Sequence, residues 1–252
     1  MHGPEAQDHS DDPNSSSAPS VIQRIAVGTQ RRRWDHHASG WEDHAVTGLS
    51  KVIDAVVART GRSRLGTVLD IGCGGGAVSL RLAERAEKVI AVDVSPKMLD
   101  RLESRAARLG LDNFELRSQP IESLDIPAGS LDVVVSNYAL HHLLDQDKQE
   151  LIKRTATWLR PGGRLVIGDM MIGRGLRGDD RRILAGKVRL LLARGPGGWW
   201  RVLKNAWRLF SRTVERPLPM EAWSDQLQAA GFVDVQAERV VAEAAVVSGT
   251  RP

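Results

Sequence analysis

The strongest chemical signal in the chain is Val68-Leu69-Asp70-Ile71-Gly72-Cys73-Gly74-Gly75-Gly76, followed one apolar run later by Asp93. Gly72, Gly74 and Gly76 let a backbone turn sharply out of a strand. They also leave room for a ligand against the main chain where a Cβ would collide. Cys73 lies inside the loop, where a thiol reads first as a small packing residue. An acid closing the next strand can accept two hydrogen bonds at once, which suits the paired hydroxyls of a ribose. The two features together place a nucleoside-bearing ligand at the carboxyl edge of a parallel sheet. For the loop alone, a plain strand-to-helix turn is the competing reading, because glycine-rich turns are common.

The glycines run G-x-G-x-G, not the G-x-G-x-x-G of dinucleotide sites, and Asp70 stands directly before them. A carboxylate there is awkward for a pyrophosphate and suits a cationic ligand. S-adenosylmethionine carries both a sulfonium and an ammonium. A nucleotide-linked dehydrogenase is the weaker alternative.

The elements that must hold these groups alternate. Residues 67–71 and 88–94 read as apolar strands, with a helix over 77–87 between them. Ser95 and Pro96 cap and start a helix that Gly110 stops. Further strands are expected at 114–117, 131–136 and 164–169, with a helix over 146–159 and a turn at Pro161-Gly162-Gly163. Strands apolar along their length, separated by helices, indicate a parallel sheet covered on both faces. Residues 231–235 and 244–248 follow a last helix near 220–230. They are too close in sequence for a helical crossover, so an antiparallel edge pair is expected. The expected class is α/β: a Rossmann-like, mostly parallel seven-stranded sheet with a terminal antiparallel hairpin, helices on both faces and a helical insertion after the fifth strand.

Composition bounds the rest. The chain has 252 residues, 42% hydrophobic and 26% charged, which is an ordinary globular balance. One cysteine excludes an intramolecular disulfide and any cysteine-cluster metal site. No apolar run is long enough to span a membrane. The N-terminus has neither the basic start nor the apolar core of a signal peptide, so a cytoplasmic protein is the default expectation. Residues 1–20 are rich in Ser, Pro, Asp and His and read as a disordered tail. Residues 21–60 read as N-terminal helices covering the site, and 61–252 as the main domain. The net charge is +4, yet residues 174–216 hold twelve basic and three acidic side chains. The basicity is therefore one stretch on a mildly acidic body.

Five pieces occur in an order that resembles the class I S-adenosylmethionine-dependent methyltransferases, in their small-molecule, ubiquinone/menaquinone-biosynthesis-like branch. They are VLDIGCGGG at 68–76, VIAVDVSPKML at 89–99, LDVVVSNYALHHL at 131–143, LRPGGRLVIGD at 159–169 and AAGFVDV at 229–235. The resemblance implies methyl transfer from S-adenosylmethionine, leaving S-adenosylhomocysteine. It implies that Asp70, Gly72 and Gly74 line the methionine end and that Asp93 binds the ribose. Val94 and Met98 would flank the adenine, and Asn137 and Tyr138 would line the methionyl side. Many relatives have Gly-Asp-Ala after the third strand, with the Asp on the adenine amine. Here that Asp position falls on Pro120, which leaves Gln119, Glu122 and the Ile121 backbone as substitutes.

A sulfonium is already an activated donor, so no metal is required. The protein must align an acceptor and exclude water. For an oxygen or nitrogen acceptor a base helps. The candidates are His36 and His37 beside Trp34, and His141 and His142 after the fourth strand, with His37 and His141 preferred. Trp34 and Trp41 are candidates for a cover over the cofactor. Ser136-Asn137-Tyr138-Ala139 lacks the prolines of enzymes that methylate exocyclic base amines, which argues against methylation of adenine or cytosine amino groups in DNA. Residues 173–218 read as a basic helical lid, with Trp200, Leu203, Trp207 and Phe210 on one stripe. Packing on the core, peripheral contact with an anionic membrane through 181–212, or binding of an anionic acceptor are its three readings. The expected acceptor is a small metabolite or lipid-like molecule. The alternative from another class is a non-catalytic cofactor-binding protein docking to membrane or nucleic acid through its basic segment.

Overall fold

The computed structural model describes residues 47–61, 64–172 and 216–252. Seven strands form one sheet: β1 (Leu65–Ile71), β2 (Ala86–Asp93), β3 (Phe114–Ser118), β4 (Leu131–Asn137), β5 (Leu159–Met170), β6 (Val233–Val241) and β7 (Ala244–Thr250). The helices are α1 (Thr47–Arg59), α2 (Ser79–Ala83), α3 (Pro96–Leu109), α4 (Asp145–Trp158) and α5 (Met220–Ala229). The strand order is β3-β2-β1-β4-β5-β7-β6. β1 to β5 pair in parallel, and β7 pairs antiparallel with both β5 and β6. The Rossmann-like α/β sheet with its closing antiparallel hairpin is thus as the alternation requires.

Strand residues alternate between two cores, as a pleated sheet covered on both faces demands. Val68, Val89, Val133 and Val166 pack with Val52 and Val56 of α1 and with Leu99 and Leu102 of α3. Leu69, Ile90, Val134 and Ile167 face the other way, against Leu151, Ile152 and Trp158 of α4 and Trp223 and Leu227 of α5. Each fully buried aliphatic side chain contributes roughly 1.5–3 kcal/mol. No helix among the described residues is long and apolar enough to cross a membrane.

Three boundaries differ from the sequence reading. The helix expected over 77–87 is only Ser79–Ala83, because Ala86 is already paired with Leu65 at the head of the β1–β2 ladder. The pairing takes those residues from the helix. Pro161-Gly162-Gly163 is an irregular part of β5 instead of a free turn. Gly162 donates to the Arg251 carbonyl at 2.8 Å, and Arg251 donates to the Gly163 carbonyl at 2.8 Å. The hairpin strands are longer than expected, and β6 runs to Val241. The proposed tail, the cover around Trp34 and Trp41, and most of the basic segment lie outside the described residues.

Candidate active site

The sheet order reverses between β1 and β4, and that switch point is where open α/β sheets bind ligands. Ser136 Oγ of β4 donates to the Ile71 carbonyl of β1 at 2.8 Å, which closes the two strands at this edge. Gly72 follows with φ +71°, a left-handed conformation that L side chains rarely adopt. A Cβ there would also collide with the Ala139 methyl, so the loops after β1 and β4 touch only because Gly72 has none. The Gly72 and Cys73 amides both donate to the Val92 carbonyl, at 2.8 and 3.0 Å. Cys73 is buried, and burial pushes its thiol well above the ordinary range, so it is neither nucleophile nor base.

Gly74 has φ +52°, and among the described residues a Cβ there would meet nothing within 4 Å. Its amide donates to Asp93 Oδ2 at 2.9 Å, and Asp93 Oδ1 accepts from the Ser95 amide at 2.9 Å. One carboxylate therefore joins the glycine loop to the start of α3. Ser95 caps that helix by accepting from the Met98 amide, with Pro96 in the first turn. Val94 is half-buried directly after β2, and Met98 is buried one turn into α3. Arg105 of α3 supports the loop from behind by donating to the Gly75 carbonyl at 2.7 Å.

Asp70 is turned inward. It is 1% exposed, and its Oδ2 accepts from Ser79 Oγ at the start of α2. Desolvation by burial raises its pKa to about 7, against the lowering effect of Ser79 and with a smaller raising effect from Asp93. A cation near the loop would be matched by this carboxylate without the carboxylate standing in the cleft.

Gln119, Pro120 and Ile121 lie at the carboxyl end of β3, beside Asp93. The Gln119 amide donates to the Asp93 carbonyl at 3.2 Å, and its side chain donates to the Ser123 carbonyl at 3.4 Å. Pro120 precedes a 3-10 turn over Ile121–Ser123. Asn137 ends β4, and its buried Oδ1 has no hydrogen-bond partner among the described residues. Tyr138 has φ +52° and donates its amide to the Gly168 carbonyl at 2.8 Å. Burial, then Glu243 and Asp169, raise its phenol far above the ordinary range, so its hydroxyl stays protonated.

His141 sits in a 3-10 turn over Leu140–His142 and is 6% exposed. Its Nδ1 is 2.6 Å from Asp169 Oδ1, and its amide donates to Asp169 Oδ2 at 2.9 Å. The Met170 amide also donates to Asp169 Oδ1, at 2.7 Å. The Asp169 carboxylate can only accept, so the neutral imidazole carries its proton on Nδ1 and its lone pair on Nε2. The His142 ring tilts against His141 at 4.0 Å between centroids. His36 and His37 lie outside the described residues.

The sheet edge therefore brings together Asp70, Gly72, Cys73, Gly74, Asp93, Val94, Met98, Gln119, Pro120, Ile121, Asn137, Tyr138 and His141. The sequence reading missed two partners. Asp169 was legible only as the acid ending the fifth strand, and Ser79 carried no signal before α2 was placed.

The chain's similarities agree with this geometry. A family model described as a methyltransferase domain matches residues 68–163. The 27-O-demethylrifamycin SV methyltransferase of Amycolatopsis mediterranei is 32% identical over 157 residues, which is 60% of this chain and 55% of that protein. The chain spans about half the length of the first curated relatives it matches. Burkholderia thailandensis 1,6-didemethyltoxoflavin-N1-methyltransferase, solved with 1,6-didemethyltoxoflavin and S-adenosylhomocysteine, aligns with TM-score 0.63 at 20% identity, over 98% of this chain and 99% of that one. A SAM dependent methyltransferase from Aquifex aeolicus aligns with TM-score 0.60 at 18% identity, over 86% and 98% of the two chains. At those identities the solved structures speak for the fold. Residues 68–163 are thus similar to a methyltransferase domain, and the sheet as a whole has the fold of the solved methyltransferases with which it aligns.

Proposed function

We propose that the protein transfers a methyl group from S-adenosylmethionine to a small-molecule acceptor. The observation that carries this reading is the Asp93 carboxylate holding the Gly74 amide at the switch point, where no described residue lies within 4 Å of a Cβ built on Gly74. The residues present fit the cofactor. Gly74 leaves main chain bare where a ligand can lie. Asp93 puts a carboxylate at the end of β2, the acceptor type that suits ribose hydroxyls. Asn137 Oδ1, without a hydrogen-bond partner among the described residues, is an acceptor that an ammonium would satisfy. Asp70 places a carboxylate under the loop for a positive ligand. Bound there, S-adenosylmethionine supplies a methyl on a positive sulfur, which an acceptor atom takes by direct in-line displacement.

The chain's own part is binding, alignment and, for a hydroxyl or amine acceptor, proton removal. His141 is the better supported base of the two preferred histidines, because Asp169 fixes its ring and holds the proton of the neutral imidazole on Nδ1, which makes Nε2 the basic nitrogen. The imidazolium so formed is balanced by Asp169. The relative from Amycolatopsis is named for an O-methyl transfer, which supports a hydroxyl acceptor.

The test uses the full chain with methyl-labelled S-adenosylmethionine and a panel of hydroxylated and aminated metabolites. Calorimetry with S-adenosylhomocysteine runs beside it. Label in an acceptor fraction that disappears in His141→Asn, with S-adenosylhomocysteine binding intact, supports the whole reading. Failure to bind S-adenosylhomocysteine refutes it.

A further inference from the structure

α4 carries a charge where its packing stripe calls for an apolar residue. Lys148, Leu151, Ile152 and Thr155 follow one another at helical spacing, and all four are buried. Lys148 is 0% exposed. A buried ammonium is strongly disfavoured by desolvation unless it is well paired. A methionine or leucine at that point of the stripe would bear none of this cost. Lys148 Nζ donates to Asp145 Oδ1, one turn earlier and 2.9 Å away, and to the main-chain carbonyl of Arg216, 68 residues later.

Arg216 is what connects this lysine to the candidate site. Its carbonyl receives Lys148, and its amide donates to the His141 carbonyl at 2.6 Å. A single peptide segment is thus stitched on one side to α4 and on the other to the turn that bears His141. His141 is then held at its amide and its Nδ1 by Asp169, and at its carbonyl by Arg216. The connected groups run Asp145, Lys148, Arg216, His141, Asp169, crossing α4, the chain leading into α5, the turn after β4 and the end of β5.

We propose that Lys148 is a positioning residue for the His141–Asp169 pair, acting through the backbone of Arg216 and not by touching a reactant. The inference deepens the reading of His141 as the base. A side chain whose alignment must survive proton gain and loss needs its backbone fixed as well as its ring. The ammonium fixes that backbone from the far side of the turn. A helix dipole or a packed apolar side chain cannot donate to a carbonyl in this way. Replacing Lys148 by methionine keeps most of the packed volume and deletes only the donor. The Arg216 segment then loses one of its two attachments, and the His141 carbonyl loses a fixed partner.

The test reads His141 directly. The full chain is labelled with 15N-histidine and saturated with S-adenosylhomocysteine. The Nδ1–H proton and ring-nitrogen resonances are recorded across pH, and His141→Asn assigns them. In the native chain the Nδ1-protonated tautomer is expected, with a downfield proton from the hydrogen bond to Asp169. Lys148→Met is expected to broaden or lose that proton resonance and to mix the tautomers, with S-adenosylhomocysteine affinity kept within about twofold. Lys148→Arg, which retains a cationic donor, is expected to restore it. An unchanged His141 spectrum in Lys148→Met overturns the proposal, and so does a parallel collapse of S-adenosylhomocysteine affinity, the mark of general loosening. If Lys148→Met does not fold, Arg216→Pro removes the amide that holds the His141 carbonyl, Arg216→Ala controls for loss of the side chain, and a proline spectrum unchanged from the alanine one overturns the proposal equally. Methyl transfer that survives His141→Asn would remove the base reading alone, because the positioning of His141 is read from the spectrum and not from turnover.

Discussion

Asp93 Oδ2 accepts the Gly74 amide at 2.9 Å, so the acid at the end of β2 is a brace for the glycine loop as well as a candidate ribose ligand. The two roles share one carboxylate. Asp93→Ala should therefore lose the ligand contact and loosen the loop together. S-adenosylhomocysteine affinity is expected to fall by about 10- to 100-fold, the scale of hydrogen bonds to a charged group. Asp93→Asn keeps one acceptor but turns an N–H toward one of the two backbone donors, so it should bind little better than alanine. Titration calorimetry on both variants checks this. Affinity unchanged in the alanine variant would mean that the carboxylate does not meet the ligand.

Asp70 makes stability and binding depend on pH in opposite ways. Its folded-state pKa of about 7 exceeds the ordinary 3.8, so the fold holds a proton that the unfolded chain has released between those values. Stability is then greatest below the lower value, falls as pH rises through the window and levels off above about 7. The loss is on the order of 4 kcal/mol at most. Asp70→Asn, which can still accept from Ser79, should be more stable than the native chain at pH 8 and should gain little at pH 4. Denaturant midpoints at the two pH values test it. Binding has the reverse sign, because a cation favours the ionised carboxylate. S-adenosylmethionine, with its sulfonium, should gain affinity relative to S-adenosylhomocysteine as pH rises through about 7, and Asp70→Asn should flatten that gain.

Much of this was legible from residue types alone. The glycine loop, Asp93 and the capped start of α3 are local, each fixed by a few neighbours in sequence, and they appear where the spacing puts them. Groups set by long-range pairing were not legible. Asp70 looked like a carboxylate facing a ligand, yet Ser79 and burial turn it under the loop. His141 was visible as a titratable group, but its partner Asp169 lies 28 residues away on another strand. Lys148 carries no signal in the sequence, because its partner Arg216 lies 68 residues away. Helix α2 was overestimated because the β1–β2 ladder, a non-local contact, claims Ala86.

Gly168 sets how closely α1 approaches the end of β5. A Cβ at this position would lie 2.5 Å from Val56 Cγ2, 2.8 Å from Asn137 Oδ1 and 3.0 Å from Val52 Cγ1. Valines on a helix have little rotamer freedom with which to yield. Gly168→Ala should cost about 1–3 kcal/mol, as overpacking of a closed core does. It should also displace Asn137 and weaken S-adenosylhomocysteine binding. Val56→Ala in the same chain should recover part of the stability but not the binding, since Asn137 Oδ1 remains crowded. A double-mutant cycle on unfolding free energy and on affinity separates the two effects.

The His141–Asp169 pair can be tested without knowing more than one working acceptor. Asp169→Asn preserves the shape of the site but presents an amide that can donate to Nδ1. The neutral imidazole is then favoured with its proton on Nε2, the atom that must receive the acceptor's proton. The turnover rate should fall by about 10²- to 10⁴-fold, the usual contribution of a general base. S-adenosylhomocysteine affinity should hold, because Asp169 braces His141 and not the glycine loop. Acceptors with more acidic hydroxyls, which need less help in losing the proton, should suffer a smaller loss in the same variant. A uniform loss across acceptors of different acidity would place Asp169 in scaffolding alone and take the base role from His141.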